Sequence, residues 1–439
     1  GDYDTGAQEQ MYIEPQAMMA EWHGDVCTIA GSMQCPYYVH KAIKKFLGCA
    51  DEQAVIRQTV TGGGFGGKEE YPSMIAAHCA VAAKVAGRPV KIVYDRDEDI
   101  AATTKRHPCR TRHRLGLAAD GSIVAIDVDV VMDGGAYLTL SPVVLSRGVL
   151  HAAGPYRAPV VRIRGRVVAT NVPPHGAFRG FGAPQTTFAY ERQIDKAAAL
   201  LGEDPLAYRR RLALVVGDST ATGQVLTDSV GSLDVIDAIA AAAGPAPVHG
   251  VSAHGSTLKR GRGVCFYFHG AGFTGSGEQR LAGRAAVAVT AAGRFVVRAS
   301  STDIGQGAIT MFTQIASDAL GVAPDLVDVV DPNTAAVPDS GPTVASRTCM
   351  VVGGVVEKAA RALRDRLLAD AVVGESLAQT GARLAARAGG ELSELVQYQP
   401  PSGIAWDDAT YTGSAYPVYG WGACLVDVSV DLDTYDLRI

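Results

Sequence analysis

The run Thr61-Gly62-Gly63-Gly64-Phe65-Gly66-Gly67-Lys68-Glu69-Glu70 is the segment on which the reading of this chain turns. It sets five glycines in six residues between an alternating strand pattern at 54–60 and a helical pattern at 72–86, which Gly87-Arg88-Pro89 closes. A plain strand-to-helix turn needs fewer glycines, because each one loses more conformational entropy on ordering than any other residue. Glycines here let backbone N–H groups approach an anion, and a helix start adds positive potential. Two nucleotide-binding patterns overlap the run. Gly62, Gly64 and Gly67 fit G-x-G-x-x-G, but the acidic residue expected about 20 positions on has no clear place, and Asp95 is late. Gly62, Gly67 and Lys68 fit a P-loop, but Glu69 replaces the magnesium-binding hydroxyl and would repel phosphate.

Working outward, 90–94 reads as a strand and 113–131 as a hairpin turning at Ala119-Asp120-Gly121-Ser122. An amphipathic helix at 186–201 is stopped by Gly202. The stretch 244–263 is rich in Pro, Gly and Ser, lacks periodicity and reads as a linker. A similar order then recurs: a hairpin at 285–300, the turn Gly305-Gln306-Gly307, and helices at 309–320 and 348–371. The expected fold is therefore α+β, with two similar mixed α/β halves at 1–243 and 264–439. Residues 426–430 and 437–439 alternate like a hairpin. Both ends of the chain fall in ordered-looking sequence, so the chain reads as a portion of a longer catalytic subunit or as one continued in another chain.

Bulk properties narrow the classes. At 439 residues the chain is long for one core, and 47% apolar with 19% charged residues is a globular composition. The net charge of -5, without any Lys/Arg run, argues against nucleic acid as a partner. No membrane span or signal peptide is legible. The eight cysteines fit neither zinc nor iron–sulfur spacing and read as reduced thiols of a cytoplasmic protein.

Taken together, several segments resemble the xanthine dehydrogenase and aldehyde oxidase family of molybdenum hydroxylases. Gly62–Glu69 is similar to the family loop that lies against the molybdenum centre and its pterin. Gly6-Ala7-Gln8-Glu9-Gln10 through Glu14-Pro15, Ser32-Met33-Gln34, Ser141 to Arg147, Ala177-Phe178-Arg179-Gly180-Phe181-Gly182-Ala183-Pro184-Gln185, Phe273-Thr274, Gly305-Gln306-Gly307 and Pro342-Thr343-Val344-Ala345-Ser346 resemble further family segments in the same order, to about residue 371. From there to 419 no motif is visible.

The resemblance implies molybdenum–molybdopterin held between the two halves, with its cytosine dinucleotide form left open. Gly64, Phe65, Gly66, Arg179, Gly305, Gln306 and Ser346 then hold the cofactor, with the backbones of Phe65 and Arg179 near the metal. Gln34 contacts a metal-bound oxygen, a task that suits an uncharged amide. Phe178 stacks on a flat substrate, Phe273 and Thr274 approach edge-on, and Ala345 lines the site. Glu69 and Arg147 are the catalytic contacts that favour a purine such as xanthine or hypoxanthine, since a planar guanidinium fork steadies charge on a purine oxygen. The family's base glutamate lies in a G-E-P-P-like segment absent from this sequence, because Gly374-Glu375-Ser376 lacks the prolines. The 2Fe-2S clusters and FAD, which pass electrons to NAD+ or O2, are then carried by other chains or segments, and this chain is inactive alone. A nucleotide-binding oxidoreductase, a hydroxylase of another N-heterocycle or an aldehyde, and a non-catalytic scaffold are the competing readings.

Overall fold

The computed structural model describes residues 1–227, 229–252 and 255–439. Two four-stranded sheets share one strand order. In the first, the hairpin Ala17–His23 and Val26–Gly31 is followed by helix Pro36–Leu47, and strand Ala54–Gln58 lies parallel to Val26–Gly31. Helix Pro72–Ala86 then leads to Val90–Val93, antiparallel to Ala17–His23 at the opposite edge. In the second, the hairpin Arg284–Thr290 and Phe295–Arg298 is followed by helix Ala308–Leu320, and Val327–Val329 is parallel to Phe295–Arg298. Helices Gly354–Ala369 and Leu377–Arg387 lead to Glu391–Gln397, antiparallel to Arg284–Thr290. The α+β architecture in two similar halves is thus observed, and the similarity extends to strand order and direction.

Each sheet packs its helices on one face. Met18, Ala20, Cys27, Ile29 and Ile56 meet Ile43, Ile75 and Cys79 in the first core. Val287, Val289, Phe295 and Val297 meet Phe312, Val356 and Leu363 in the second. Period-2 burial on strands against period-3.6 burial on helices produces this layering. Pro72 starts its helix where a missing N–H costs nothing, and Gly87 ends it in the left-handed conformation.

An outer strand pair brackets each unit. Asp2–Thr5 pairs antiparallel with Cys109–Leu117, and Thr257–Gly270 pairs antiparallel with Tyr419–Asp431. Cys109–Leu117 and Tyr419–Asp431 each turn into a hairpin, with Ile123–Gly135 and Leu437–Arg438. The segment read as a linker therefore needs correction: 257–263 is strand, paired residue by residue from Leu258↔Asp431 to Gly263↔Val426. Lys259, Arg260 and Gly261 are exposed there, and glycines at 261 and 263 erase the apolar alternation that marks a strand in sequence. Ala253 and His254, in the same segment, lie outside the described residues.

The halves join along the edge of Ala54–Gln58. Gln58 N–H donates to Pro332 O at 3.0 Å, Thr334 N–H to Ile56 O at 3.0 Å, and Tyr37 Oη–H to Val337 O at 2.6 Å. This seam brings together equivalent loops: those before the first helix of each unit (32–35 and 299–307) and those before the second (59–71 and 330–347).

Candidate active site

Gln34 is the hub of these loops. Its Oε1 accepts from the N–H groups of Gly66 at 2.8 Å and Lys68 at 3.3 Å, and its Nε2 donates to Thr343 O at 3.3 Å. Its backbone carbonyl accepts from Thr343 N–H at 3.3 Å and Thr302 Oγ1 at 3.2 Å. Among the described residues one N–H of Nε2 is left over. The glycines make this close approach sterically possible. A Cβ at Gly64 would lie 2.5 Å from Gln34 Oε1, and one at Gly67 would lie 2.4 Å from the Tyr12 ring. At Gly66, where φ is +103°, it would lie 2.8 Å from the carbonyl carbon and oxygen of Ala177. Arg179 N–H donates to Phe65 O at 2.8 Å, so the two signature loops are bonded to each other.

Four non-glycine residues of these loops, Phe65, Phe181, Ala345 and Ser346, have φ between 52 and 56°. The left-handed conformation is costly for a residue with a side chain, and it persists only where surroundings over-determine it. Such strain gathers at ligand sites. Here two of the four, Phe181 and Ala345, line one slot.

The slot is walled by Val143, Arg147, Phe181, Phe273, Thr274, Val344 and Ala345 and encloses about 10 Å3. That is a space of roughly one water. Of the residues expected to contact substrate, Arg147, Phe273, Thr274 and Ala345 meet here and Phe178 does not. Its ring lies beneath the Arg106 guanidinium, 4.0 Å away, and Phe181 takes the slot. Gly180, at φ +93°, and Phe181 itself turn the second ring inward, a reversal that sequence alone does not reveal.

Arg147 sits on helix Ser141–His151 and is 2% exposed. Nη1 donates to Gly270 O at 2.7 Å and His269 Nε2 at 2.9 Å, and Nη2 donates to Gly272 O. The Tyr416 ring lies 4.9 Å beneath the guanidinium. Among the described residues no carboxylate pairs with it, whereas the equally buried Arg209 and Arg347 are held by Glu191 and Glu278. An uncompensated buried cation costs stability unless something supplies negative charge.

Glu69, 2% exposed, is not among the slot's walls. Burial, reinforced by the charge of Glu70, pushes its carboxyl well above the usual range. Burial raises Glu70 to about 7, and neither of its oxygens has a hydrogen-bond partner. Lys68 is fully buried, donates to Glu14 at 2.9 Å and stands 4.8 Å over the Tyr12 ring. A P-loop lysine must reach phosphate, so that reading fails. The dinucleotide reading fails too, because the glycines end at 67, five residues before helix Pro72–Ala86.

Gly305 and Gln306 lie in the turn before helix Ala308–Leu320. The N–H groups of Gly305, Gly307 and Ile309 donate to the Asp303 carboxylate at 2.9, 3.4 and 3.3 Å. The Gln306 amide is tied to Ile304 N and Thr302 O at 2.7 and 2.9 Å. These amides are already engaged by a local acceptor, a common use of Asp beside a helix start. Phe181, Asp303 and His269 escaped the sequence reading. Phe181 and His269 lie inside or beside segments that resemble the family, but their contacts, like those of Asp303, are not encoded in spacing.

Two loop sets from a duplicated fold thus place a glycine cradle closed by an uncharged amide beside a slot with a buried cation. The chain matches the family described as "Molybdopterin cofactor-binding domain" over residues 1–213 and again over 245–439. It is 31% identical over its whole length to a probable xanthine dehydrogenase subunit of Bacillus subtilis, of which it covers 60%. It is 37% identical over 54% of its length to the nicotinate dehydrogenase large molybdopterin subunit of Eubacterium barkeri, of which the match covers 55%. The aldehyde oxidoreductase of Desulfovibrio gigas superposes on the whole chain with a TM-score of 0.87 at 30% identity, over 47% of that chain. The chain belongs to the molybdenum hydroxylase family. It spans about 60% of the length of the Bacillus subtilis relative and about half that of the other two.

Proposed function

We propose that this chain holds the molybdenum–molybdopterin of an enzyme that hydroxylates a purine-like N-heterocycle, such as xanthine or hypoxanthine, at an sp2 carbon. The supporting observation is Arg147, a buried guanidinium without a carboxylate partner among the described residues, which lines one slot with Phe181 and Phe273. The residues fit the cofactor, since Gly64, Gly66 and Gly67 sit where any Cβ would collide with the cradle and Gln34 keeps one N–H to give. When bound, that group supplies water-derived oxygen and accepts an electron pair. The chain's own part is positional. Phe181 and Phe273 line the space for the ring, Arg147 steadies charge developing on a ring oxygen, and Glu69, buried outside the walls of the empty slot, is the acid assigned to a ring nitrogen. Phe65, Arg179 and Ser346 shape the cofactor cradle through their backbones.

In this reading the two cofactor-binding domains divide between 244 and 256, ahead of strand Thr257–Gly270. Iron–sulfur, FAD and base-bearing segments come from elsewhere, and the chain is inactive alone. Eight free cysteines suit a reducing, cytoplasmic location. Among the described residues no helix is long and apolar enough to cross a membrane. In the assembled enzyme, Arg147→Met is expected to lower kcat/KM for xanthine roughly 100-fold or more while an aromatic aldehyde changes by only a few-fold. Equal losses on both substrates would exclude the purine assignment.

A further inference from the structure

The donors of Arg147 sharpen what the slot takes. A guanidinium has five N–H groups. Both of Nη1 are engaged, by Gly270 O and His269 Nε2, and one of Nη2 is engaged by Gly272 O. No described residue accepts from Nε–H or from the second N–H of Nη2. The atoms Nε and Nη2 flank one edge of the planar group, the edge that can form parallel bonds to a pair of acceptors.

Beside the two carbonyls, His269 is a side-chain acceptor on Arg147. Its Nε2 accepts from Arg147, so its proton is on Nδ1. Behind it His151 stacks at 5.3 Å, donating from Nδ1 to Arg147 O at 2.7 Å and accepting at Nε2 from Gly270 N–H at 3.1 Å. His151 thus ties the arginine's own backbone to the strand that carries His269, Thr257–Gly270. The socket is closed by the Tyr416 face. Every partner in it is neutral. Burial, with the Arg147 charge second, draws His269 down to about 3, so it keeps its lone pair at any ordinary pH.

We infer that His269 is a positioning residue that locks Arg147 so that only its Nε–Nη2 edge addresses the slot, which makes the site selective for flat rings carrying two adjacent in-plane acceptors. The O6/N7 edge of a 6-oxopurine is such a pair, the same pair arginine reads on guanine, and an aromatic carboxylate is another. An aldehyde or carboxamide offers one acceptor and leaves a donor unpaired. The inference rests on the reading that Arg147 faces the substrate.

Inert probes separate the two. In the assembled enzyme, inhibition constants of benzoate and benzamide against the working substrate report binding without turnover of the probe. Benzoate is expected to bind at least about 10-fold more tightly than benzamide. His269→Phe should bring that ratio to about 1 by weakening benzoate, with benzamide moving less than about two-fold, and His269→Gln, whose amide oxygen can accept, should restore it. An unchanged ratio in His269→Phe, or equal weakening of both probes, overturns the positioning role. If Arg147→Met leaves the wild-type ratio intact, or if no preference for benzoate exists, the substrate-facing reading of Arg147 fails and this inference with it. If Arg147→Met abolishes the ratio and His269→Phe does not, only His269 is excluded.

Discussion

Phe178 and Phe181 are three positions apart in one motif, yet they face different ways. Phe178 carries the Arg106 guanidinium, which also donates to Arg179 O at 2.9 Å and so braces the loop from outside. Phe181, turned by left-handed backbone, forms a wall of the slot. The two rings should therefore separate function from stability. Phe181→Ala is expected to lower kcat/KM for a heteroaromatic substrate roughly 10- to 100-fold, the worth of one stacked ring, with little change in melting temperature. Phe178→Ala should leave turnover within a few-fold and lower stability by about 2 kcal/mol, from lost burial and cation–π attraction. Steady-state kinetics and thermal melts on both variants decide it; the reverse pattern would return Phe178 to the slot.

At the scale of elements, one loop conformation depends on glycine at a single point. Gly66 has φ +103° and lets Phe65 O reach Arg179 N–H, while any Cβ there meets the backbone of Ala177. Backbone against backbone cannot be relieved by a rotamer change, so Gly66→Ala must push the two signature loops apart. The expected outcome is an enzyme that folds, with a melt lowered by about 1–3 kcal/mol equivalent, and that has lost most of its molybdenum by elemental analysis. Full molybdenum content in that variant would sink the cradle. The position of this loop was legible before the structure, as were helix Pro72–Ala86 with its terminal signals and both hairpin turns. Strand 257–263 was not, because exposed Lys259 and Arg260 between glycines hide a strand whose partner lies some 165 residues further on.

The whole molecule is held by the seam between its two units and by polar groups shut away from water. His107 and His113 are buried and drawn to about 4, and His269 to about 3, burial being the first cause in each. Each is neutral in the fold but takes a proton near pH 6.5 when unfolded, so protons favour the unfolded chain between that pH and the folded value. Their contribution is complete above about pH 6.5 and is lost progressively as pH falls toward 4. Glu70, raised to about 7, acts in the opposite sense, because it is easier to keep buried when protonated. The clean comparison is thus a variant. His113 has no partner on either ring nitrogen, so His113→Leu should lose about 2 kcal/mol less than the parent between pH 7 and pH 5 in urea titrations. Parallel pH slopes for the two proteins would show that His113 does not titrate as assigned.

Local chemistry alone determined the α+β class, the duplicated order of elements, the glycine loop and the order of motifs along the chain. Those features are written in periodicity, in terminal residues and in contiguous runs, which act over a few positions. What tertiary structure decided is which side chains meet: Phe181 in place of Phe178 in the slot, Asp303 on the amides of 305–309, and His269 and the carbonyls of Gly270 and Gly272 on Arg147. These pairings join residues as many as 125 positions apart, or turn on one left-handed backbone angle, and neither leaves a periodic trace in sequence. The charge of Arg147 was visible from the start. That it stands buried without a carboxylate among the described residues, held by neutral acceptors, could be seen only once the strand Thr257–Gly270 had folded against its helix.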